Sequence, residues 1–132
     1  MKIAGVQADQ MMALWPHVKD HFRSFENRSE GELTAGELLT CVIDKKLQCW
    51  VATDGEVVKA CALTEVCRKT VVLAFCAGRD REEWRDERVD EIKRWAKSIG
   101  LNRFRIICRP GWTRELKALG FKETHRVLER EI

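Results

Sequence analysis

The sequence predicts one α/β domain organised around a mixed sheet, and three observations support that prediction. The chain has 132 residues, the size of a single domain, so residues 1–132 are expected to form one unit. Hydrophobic residues make up 45% of the chain and charged residues 34%, which is enough apolar material to bury a core. The spacing of the apolar residues changes several times between helical periodicity and strand alternation, as it does in α/β folds.

The first third of the chain predicts one strand and two helices. Residues 2–7 are a short strand candidate, and Asp9 is positioned to cap a helix over residues 10–26. Pro16 lies inside that helix and is expected to kink or split it. A second helix is expected after Thr34, because a glutamate three residues later completes the spacing of a capping box.

Three consecutive strands are expected in the middle of the chain, over residues 48–53, 57–66 and 70–77. Asp54-Gly55, between the first two, is typical of a two-residue hairpin turn. The third segment is apolar on both faces, which favours a central strand. Local signals alone therefore predict an antiparallel meander.

The last third predicts the longest helix, which begins with Asp80 as N-cap and stops at Gly100. A strand over residues 103–108, a short helix over 111–119 and an extended segment over 121–132 follow. The buried stripe of the long helix is expected to comprise Trp84, Val89, Ile92, Trp95, Ala96 and Ile99. The predicted order is thus β-α-α-β-β-β-α-β-α-β.

Composition and charge exclude several classes of protein. No apolar run reaches the roughly 18–20 residues that span a bilayer, and the first residues lack the apolar stretch of a secretion signal. A cytoplasmic location without a membrane partner is therefore expected. The net charge of +3 is too small to indicate nucleic acid. Residues 68–132 nevertheless hold 17 basic and 11 acidic side chains, which marks either a surface for an anionic partner or an accident of helix faces.

The cysteines and histidines have two interpretations, as metal ligands or as structural residues. None of the six cysteines forms a Cys-x-x-Cys pair, so reduced core thiols are expected and a metal site is not. Cys76 and Cys108 each end a strand, but packing is favoured over a nucleophilic role. His17 and His21 would share a helix face, as half of a metal site or as two surface side chains, and the second is favoured.

Three segments of the chain resemble the GNAT superfamily of acyltransferases. Residues 50–58 resemble the hairpin between its second and third strands, residues 91–100 the end of its long helix, and residues 116–121 the close of its last helix. The resemblance implies a GNAT-like mixed, mostly antiparallel central sheet of about six strands flanked by about four helices. It also implies that the fourth strand splays from the fifth, with acetyl-CoA lying in the gap.

In that superfamily the diphosphate of acetyl-CoA is held by backbone amides in a loop at the start of the long helix. The cofactor-binding candidates that match this loop are Ala77, Gly78, Arg79 and Arg81. The loop keeps one glycine where the family motif has more, and Asp80, Glu82 and Glu83 add carboxylates to the first helical turn. The resemblance therefore implies acetyl-CoA as cofactor, while the charge of this loop argues against its binding.

The catalytic part of the resemblance is also incomplete. Members often use a tyrosine near the last helix as general acid, but this chain contains no tyrosine and the matching position is Leu116. Their general base is often a glutamate on the central strands, for which Glu65 is the catalytic candidate here. The alternative for Glu65 is a solvated residue before the turn at residues 68–69.

A basic segment near the C-terminus is the candidate partner-binding site. Arg109 and Trp112 lie in a loop that is expected to contact a protein or to line the cleft. Arg103, Arg105 and Arg114 add to the same basic patch. One exposed tryptophan offers too little stacking surface for a single-stranded nucleic acid, so nucleic acid is not expected as a partner.

Two functions from different classes remain. Residues 78–84, 92–96, 109–112 and 126–129 resemble segments of the short GNAT-like proteins of tailed phages, which are encoded among virion genes. This resemblance implies a non-catalytic binding or structural component associated with a virion, whose partners are other virion or host proteins. The alternative is an active N-acetyltransferase that moves acetyl from acetyl-CoA to an amine. The degraded cofactor loop favours the first function.

Overall fold

A mixed sheet forms the centre of the protein. The computed structural model describes residues 2–78, 81–108 and 110–132. The strands lie side by side in chain order: β1 (Lys2–Val6), β2 (Gln48–Asp54), β3 (Val57–Cys67), β4 (Thr70–Gly78) and β5 (Arg103–Ile106). The first four strands pair antiparallel, and β5 pairs with β4 in parallel. The predicted meander of β2, β3 and β4 is confirmed.

Helices cover both faces of this sheet. They are α1 (Met11–Arg28), α2 (Ala35–Ile43), α3 (Arg81–Ser98) and α4 (Thr113–Ala118). Short 3-10 turns over Ala8–Gln10 and Pro110–Trp112 precede α1 and α4. The mixed, mostly antiparallel sheet with its flanking helices confirms the predicted fold class. None of the helices within the described ranges has the length and apolar character needed to cross a membrane.

The sheet separates two apolar clusters. On one face, α1 packs its aromatic residues against β4, with the Phe25 and Phe75 ring centroids 5.4 Å apart. On the other face, α3 packs against β2, where the rings of Trp50 and Trp95 meet edge to face at 5.6 Å. Because side chains alternate along a strand, Cys76 lies on the α3 face although its neighbour Phe75 lies on the α1 face.

The predicted capping box at the start of α2 is confirmed on its N-cap side. Thr34 has extended backbone angles, and its Oγ1 accepts a hydrogen bond from the Glu37 amide at 3.1 Å. This bond satisfies one of the amides that a helix start leaves without an intrahelical partner.

Replacing Thr34 by alanine should therefore lower the free energy of unfolding by about 1 kcal/mol. The measurement is urea denaturation followed by circular dichroism. The variant Thr34→Ser keeps an acceptor oxygen at the same place and should lose much less. Equal losses in both variants would mean that the methyl group, rather than the cap, stabilises this helix start.

Two predictions near the N-terminus are wrong. Asp9 caps no helix, because it lies inside the first 3-10 turn, and the N-cap of α1 is Gln10. Of the two effects expected of Pro16, the split is wrong, because α1 runs unbroken from Met11 to Arg28, and the kink stays a prediction. The helix buries side chains on both sides of the proline, down to Phe25, and this packing outweighs the hydrogen bond that the proline ring removes.

The strand predicted over residues 121–132 is not formed, and β5 ends two residues earlier than expected. The apolar side chains Val127 and Leu128 are 66% and 92% exposed, so the segment lacks a buried face that would hold it against the sheet. Phe121 alone among its described residues is partly buried, with its ring 5.3 Å from that of Phe104.

The buried stripe of α3 differs from the predicted one at two positions. Val89, Ile92 and Ala96 are buried as expected, but Ile99 is 52% exposed because it lies beyond the last residue of the helix. The side chain of Arg88, which the predicted stripe did not include, is fully buried on the same helix face as Ile92. The predicted N-cap Asp80 and the side chain of Trp84 lie outside the described residues.

Candidate functional site

An opening separates the second half of β4 from β5. β5 pairs with β4 only from Thr70 to Leu73. Leu63 of β3 faces Phe75 and the next β3 residue faces Leu73, so Ala74 is an extra residue, a β-bulge, at the point where the pairing with β5 ends. A bulge bends its strand and increases the local twist. We call the gap between residues 74–78 of β4 and residues 107–108 the opening.

Gly78 ends β4 beside the opening, and its identity is explained by the fold. Its φ of +142° is a conformation that side chains other than hydrogen rarely adopt. A Cβ atom at this position would lie 2.4 Å from the Cβ of Ala60 and 2.6 Å from the carbonyl oxygen of Lys59. The close approach of β3 therefore requires glycine whether or not a ligand binds.

Of the other candidate cofactor-binding residues, the structure describes the side chain of Ala77, whose methyl group offers no hydrogen bond to a phosphate. Ala77 is buried in the cluster under α1, on the face of the sheet opposite α3. Arg79 and the side chain of Arg81 lie outside the described residues, so their part of the prediction stays a prediction.

Two arginines from opposite faces of the sheet converge on Cys76, in the middle of the opening's β4 side. Arg28, the last residue of α1, donates a hydrogen bond from Nη1 to the Cys76 carbonyl oxygen. Arg88, in α3, places its Nη1 2.8 Å from the Cys76 Sγ. Both the main chain and the side chain of Cys76 are thus engaged by the protein itself.

Arg88 also reaches the far side of the opening. Its guanidinium carbon lies 5.9 Å from the centre of the Trp112 ring, a cation–π distance. Trp112 follows β5 in the chain and is half-buried rather than exposed as the sequence suggested, whereas Arg109, the other candidate partner-binding residue, lies outside the described residues. Because the guanidinium group of Arg88 contacts both Cys76 on β4 and Trp112, it bridges the two sides of the opening.

A second contact between α3 and α4 supports this bridge. Arg85, one turn before Arg88, forms an ion pair with Glu115 at 2.9 Å. Leu116, at the position where the superfamily often has its tyrosine, is only 5% exposed and packs inward. These contacts hold α4 next to the first turns of α3, where the cofactor of a GNAT enzyme is expected.

Glu65, the candidate general base, lies on β3 opposite Val72, close to the closed end of the opening. It is exposed to solvent, as its alternative interpretation requires. A general base for an amine would instead need a partly desolvated site that raises the pKa of the carboxyl group.

The thiol at the β5 side of the opening, that of Cys108, is not activated. All six cysteines are free, and the core interpretation is wrong for Cys67 and Cys108, whose side chains are exposed to solvent. Burial still raises the pKa of Cys108, which favours the thiol over the nucleophilic thiolate. The pKa of Cys61 is raised strongly by its contact with Cys49, with sulfurs 3.6 Å apart, and by burial.

The histidines do not assemble a metal centre. Among the described residues, no group of three or more His, Cys, Asp or Glu side chains is arranged to hold a metal ion. His21 is half-buried on α1, and this desolvation lowers its pKa below the usual 6.5, against opposing effects of a backbone hydrogen bond at Val58 and the charge of Asp20.

The lowered pKa of His21 should make the stability of the protein depend on pH. Because the pKa of His21 is lower in the folded than in the unfolded state, its contribution is fully present above pH 6.5 and is lost as the pH falls through the folded-state pKa. The melting temperature of His21→Gln should therefore decline less between pH 7.5 and pH 5 than that of the original protein. His17→Gln, an exposed position on the same helix, is the control. An unchanged slope in His21→Gln would contradict this assignment.

Neither Arg28 nor Arg88 was singled out from the sequence. The signal for Arg88 was available, since it lies four residues before Ile92 and so falls within the apolar stripe of α3. A cationic side chain at such a position indicates either that this end of the stripe is exposed or that the charge is buried and contacts a specific partner. Arg28 gave no comparable signal, because its contact with Cys76 joins residues 48 positions apart.

Comparison with known proteins supports the fold through structure and not through sequence. No protein-family model matches the chain, and no curated protein matches its sequence. A probable acetyltransferase of known structure aligns with a TM-score of 0.70 at 14% identity, over 100% of this chain and 97% of that one. A protein of Clostridium acetobutylicum, described as a predicted acetyltransferase and solved with acetyl-CoA, aligns at 0.66 and 12% identity, over 98% and 95%.

An aminoglycoside N-acetyltransferase in complex with a bisubstrate analogue of CoA aligns equally well. Its TM-score is 0.66 at 18% identity, over 99% of this chain and 97% of that one. At such identities the likeness concerns the fold alone. The described part of the chain therefore has a GNAT-like fold.

Proposed function

We propose that this protein is a non-catalytic binding or structural component with a GNAT fold, in which the chain's own side chains close the opening to acetyl-CoA. The observation that carries the proposal is the position of Arg88. Its guanidinium group contacts Cys76 on β4 and Trp112 beyond β5, so it bridges the gap in which the cofactor of a GNAT enzyme is expected.

The closed arrangement has an energetic cost for any cofactor. Binding would have to separate Arg88 from Trp112, a cation–π contact worth about 1–2 kcal/mol when desolvated. It would also have to disturb the partly exposed pair of Arg85 and Glu115, worth up to about 1 kcal/mol. A closed state favoured by about 2 kcal/mol lowers the apparent affinity roughly 30-fold.

The charge at the start of α3 opposes the cofactor as well. Glu82 and Glu83 lie in the first turn of this helix, where a diphosphate would need the positive end of the helix dipole. The chemistry beyond binding is equally poorly supported, since Leu116 is buried and Glu65 is solvated. The described residues therefore fit a binding role better than acyl transfer.

The proposed partners are proteins. The likeness of several segments to short GNAT-like proteins of tailed phages supports other virion or host proteins as partners, with the protein in the host cytoplasm or in the virion. A portal or tail gene beside its own gene would support this assignment independently.

One observation favours the alternative, an active N-acetyltransferase that acetylates an amine. The bulge at Ala74 and the early end of β5 keep β4 and β5 apart, which a protein without any ligand in this gap does not need. Solved proteins of the same fold hold CoA or acetyl-CoA.

Thermal denaturation with acetyl-CoA separates the two functions. We expect no rise in the melting temperature that saturates up to millimolar acetyl-CoA, because the closed opening and the carboxylates at the start of α3 both weaken binding to the folded state. A CoA-binding acetyltransferase of the same fold serves as the positive control. A rise of several degrees that saturates with acetyl-CoA would refute the proposal and favour the enzyme.

A further inference from the structure

The strand at the open edge of the sheet carries two arginines, Arg103 and Arg105, that form no ion pair with another described residue. Arg103 and Arg105 alternate with Phe104 and Ile106, which pack in the cluster under α3, so the two arginines lie together on the other face. The turn before β4 lies beside them, because the Lys69 carbonyl oxygen accepts hydrogen bonds from the amides of residues 102 and 103. We call Arg68, Lys69, Arg103 and Arg105 the basic edge.

The charges of the basic edge are not neutralised by the protein. In the portion of the chain that the structure describes, none of these four side chains has a carboxylate within 4.0 Å. Glu65 lies in the same cross-strand row as Arg105, but Val72 separates them. Arg68 lies in the turn before β4 with a φ of +58°, a backbone conformation that favours glycine. A charged side chain thus occupies a turn position at which glycine would cause less strain.

The main chain of β5 is available along its outer side. Among the described residues, β5 is the last strand in the sheet order, and residues 122–132, which follow it in the chain, are exposed and form no strand. An exposed strand edge presents unpaired amides and carbonyls that a further extended segment can bind. The positive side chains of the basic edge and the unpaired main-chain groups of β5 thus lie on the same edge of the sheet.

We infer that the basic edge binds an extended acidic segment of a partner protein, which adds to the sheet beside β5. Glutamate or aspartate at alternate positions of such a segment would face Arg103 and Arg105, because side chains repeat every second residue on one face of a strand. This inference deepens the proposed function, on which it rests, by assigning the surface and the chemistry of the partner.

Other occupants fit less well. Two copies of this chain paired through β5 would oppose arginine to arginine, which destabilises a strand pair. Nucleic acid would need aromatic side chains for stacking, but on this edge Phe104 packs against Phe121, and Trp112 lies against Arg88.

Binding of a labelled peptide with alternating glutamate and valine tests the inference by fluorescence anisotropy. We expect saturable binding to the full chain, weakened at least tenfold in the double variant Arg103→Glu/Arg105→Glu. The matched control is Lys45→Glu/Lys46→Glu, which makes the same charge change at exposed residues of the loop before β2 and should retain binding, because β3 and β4 lie between β2 and β5. Hydrogen exchange at the amides of Phe104 and Ile106 should slow when the peptide binds, because the amide of Arg103 is bonded toward β4 and amides alternate between the two edges of a strand.

Several outcomes would overturn the inference. Equal losses in both double variants, equal binding of a proline-containing peptide of the same charge, or unchanged exchange at β5 would each reduce the effect to general electrostatics. Stronger binding of a single-stranded oligonucleotide would assign the edge to nucleic acid instead. Acetyl-CoA binding tests the proposed function separately, because the variants at β5 leave Arg88 and Trp112 intact.

Discussion

Replacing Gly78 by alanine is expected to lower the free energy of unfolding by about 3 kcal/mol or more. The new Cβ would lie 2.4 Å from the Cβ and 2.5 Å from the Cα of Ala60, and β3 cannot retreat without breaking its pairing with β4. The φ of +142° adds backbone strain for any residue with a side chain. Urea denaturation followed by circular dichroism measures the change.

Gly36→Ala is the matched control for this prediction. Gly36 lies in α2, and an added Cβ would meet nothing closer than 4.0 Å. The same substitution should therefore raise stability there by roughly 0.5–1 kcal/mol, because alanine is the better helix former. A Gly78→Ala variant as stable as the original protein would show that the contact with Ala60 is not tight, and would restore a ligand as the reason for this glycine.

Replacing Arg88 by alanine is expected to cost about 3 kcal/mol of unfolding free energy, a loss comparable to that of a large core residue. The variant would leave a cavity between α3 and the sheet, and it would remove the contacts with Cys76 and Trp112. Tryptophan fluorescence should change with it, since Trp112 loses the group against which it packs.

Arg85→Ala provides the comparison on the same helix. Its ion pair with Glu115 is partly exposed, so the cost should stay at or below about 1 kcal/mol. Similar costs for the two arginines would contradict the view that Arg88, rather than the α3–α4 ion pair, closes the opening.

The fold could be predicted from the sequence where local signals determine the structure. A two-residue turn joins β2 to β3 as predicted, although it lies at Gly55-Glu56, one residue later than expected, because Asp54 pairs with Val57. The Thr34 cap starts α2 at the predicted residue. The signal failed where tertiary packing decides the outcome. α1 passes Pro16 because its buried face continues beyond it, and residues 121–132 form no strand because their apolar side chains find nothing to cover.

The candidate site was less predictable because its contacts join distant parts of the chain. Gly78 was expected to serve a cofactor, yet its glycine is required by Ala60 on the neighbouring strand. Trp112 was expected at the surface, but it packs against an arginine 24 residues earlier that no motif marks. The bulge at Ala74, which defines the opening, has no sequence signature of its own in this strand.

A crystal structure determined with millimolar coenzyme A tests the account most directly. We expect Arg88 to remain between Cys76 and Trp112, with no ligand ordered in the gap beside residues 74–78. Coenzyme A seated in that gap, with its phosphates on amides at the start of α3 and Trp112 displaced from Arg88, would contradict it.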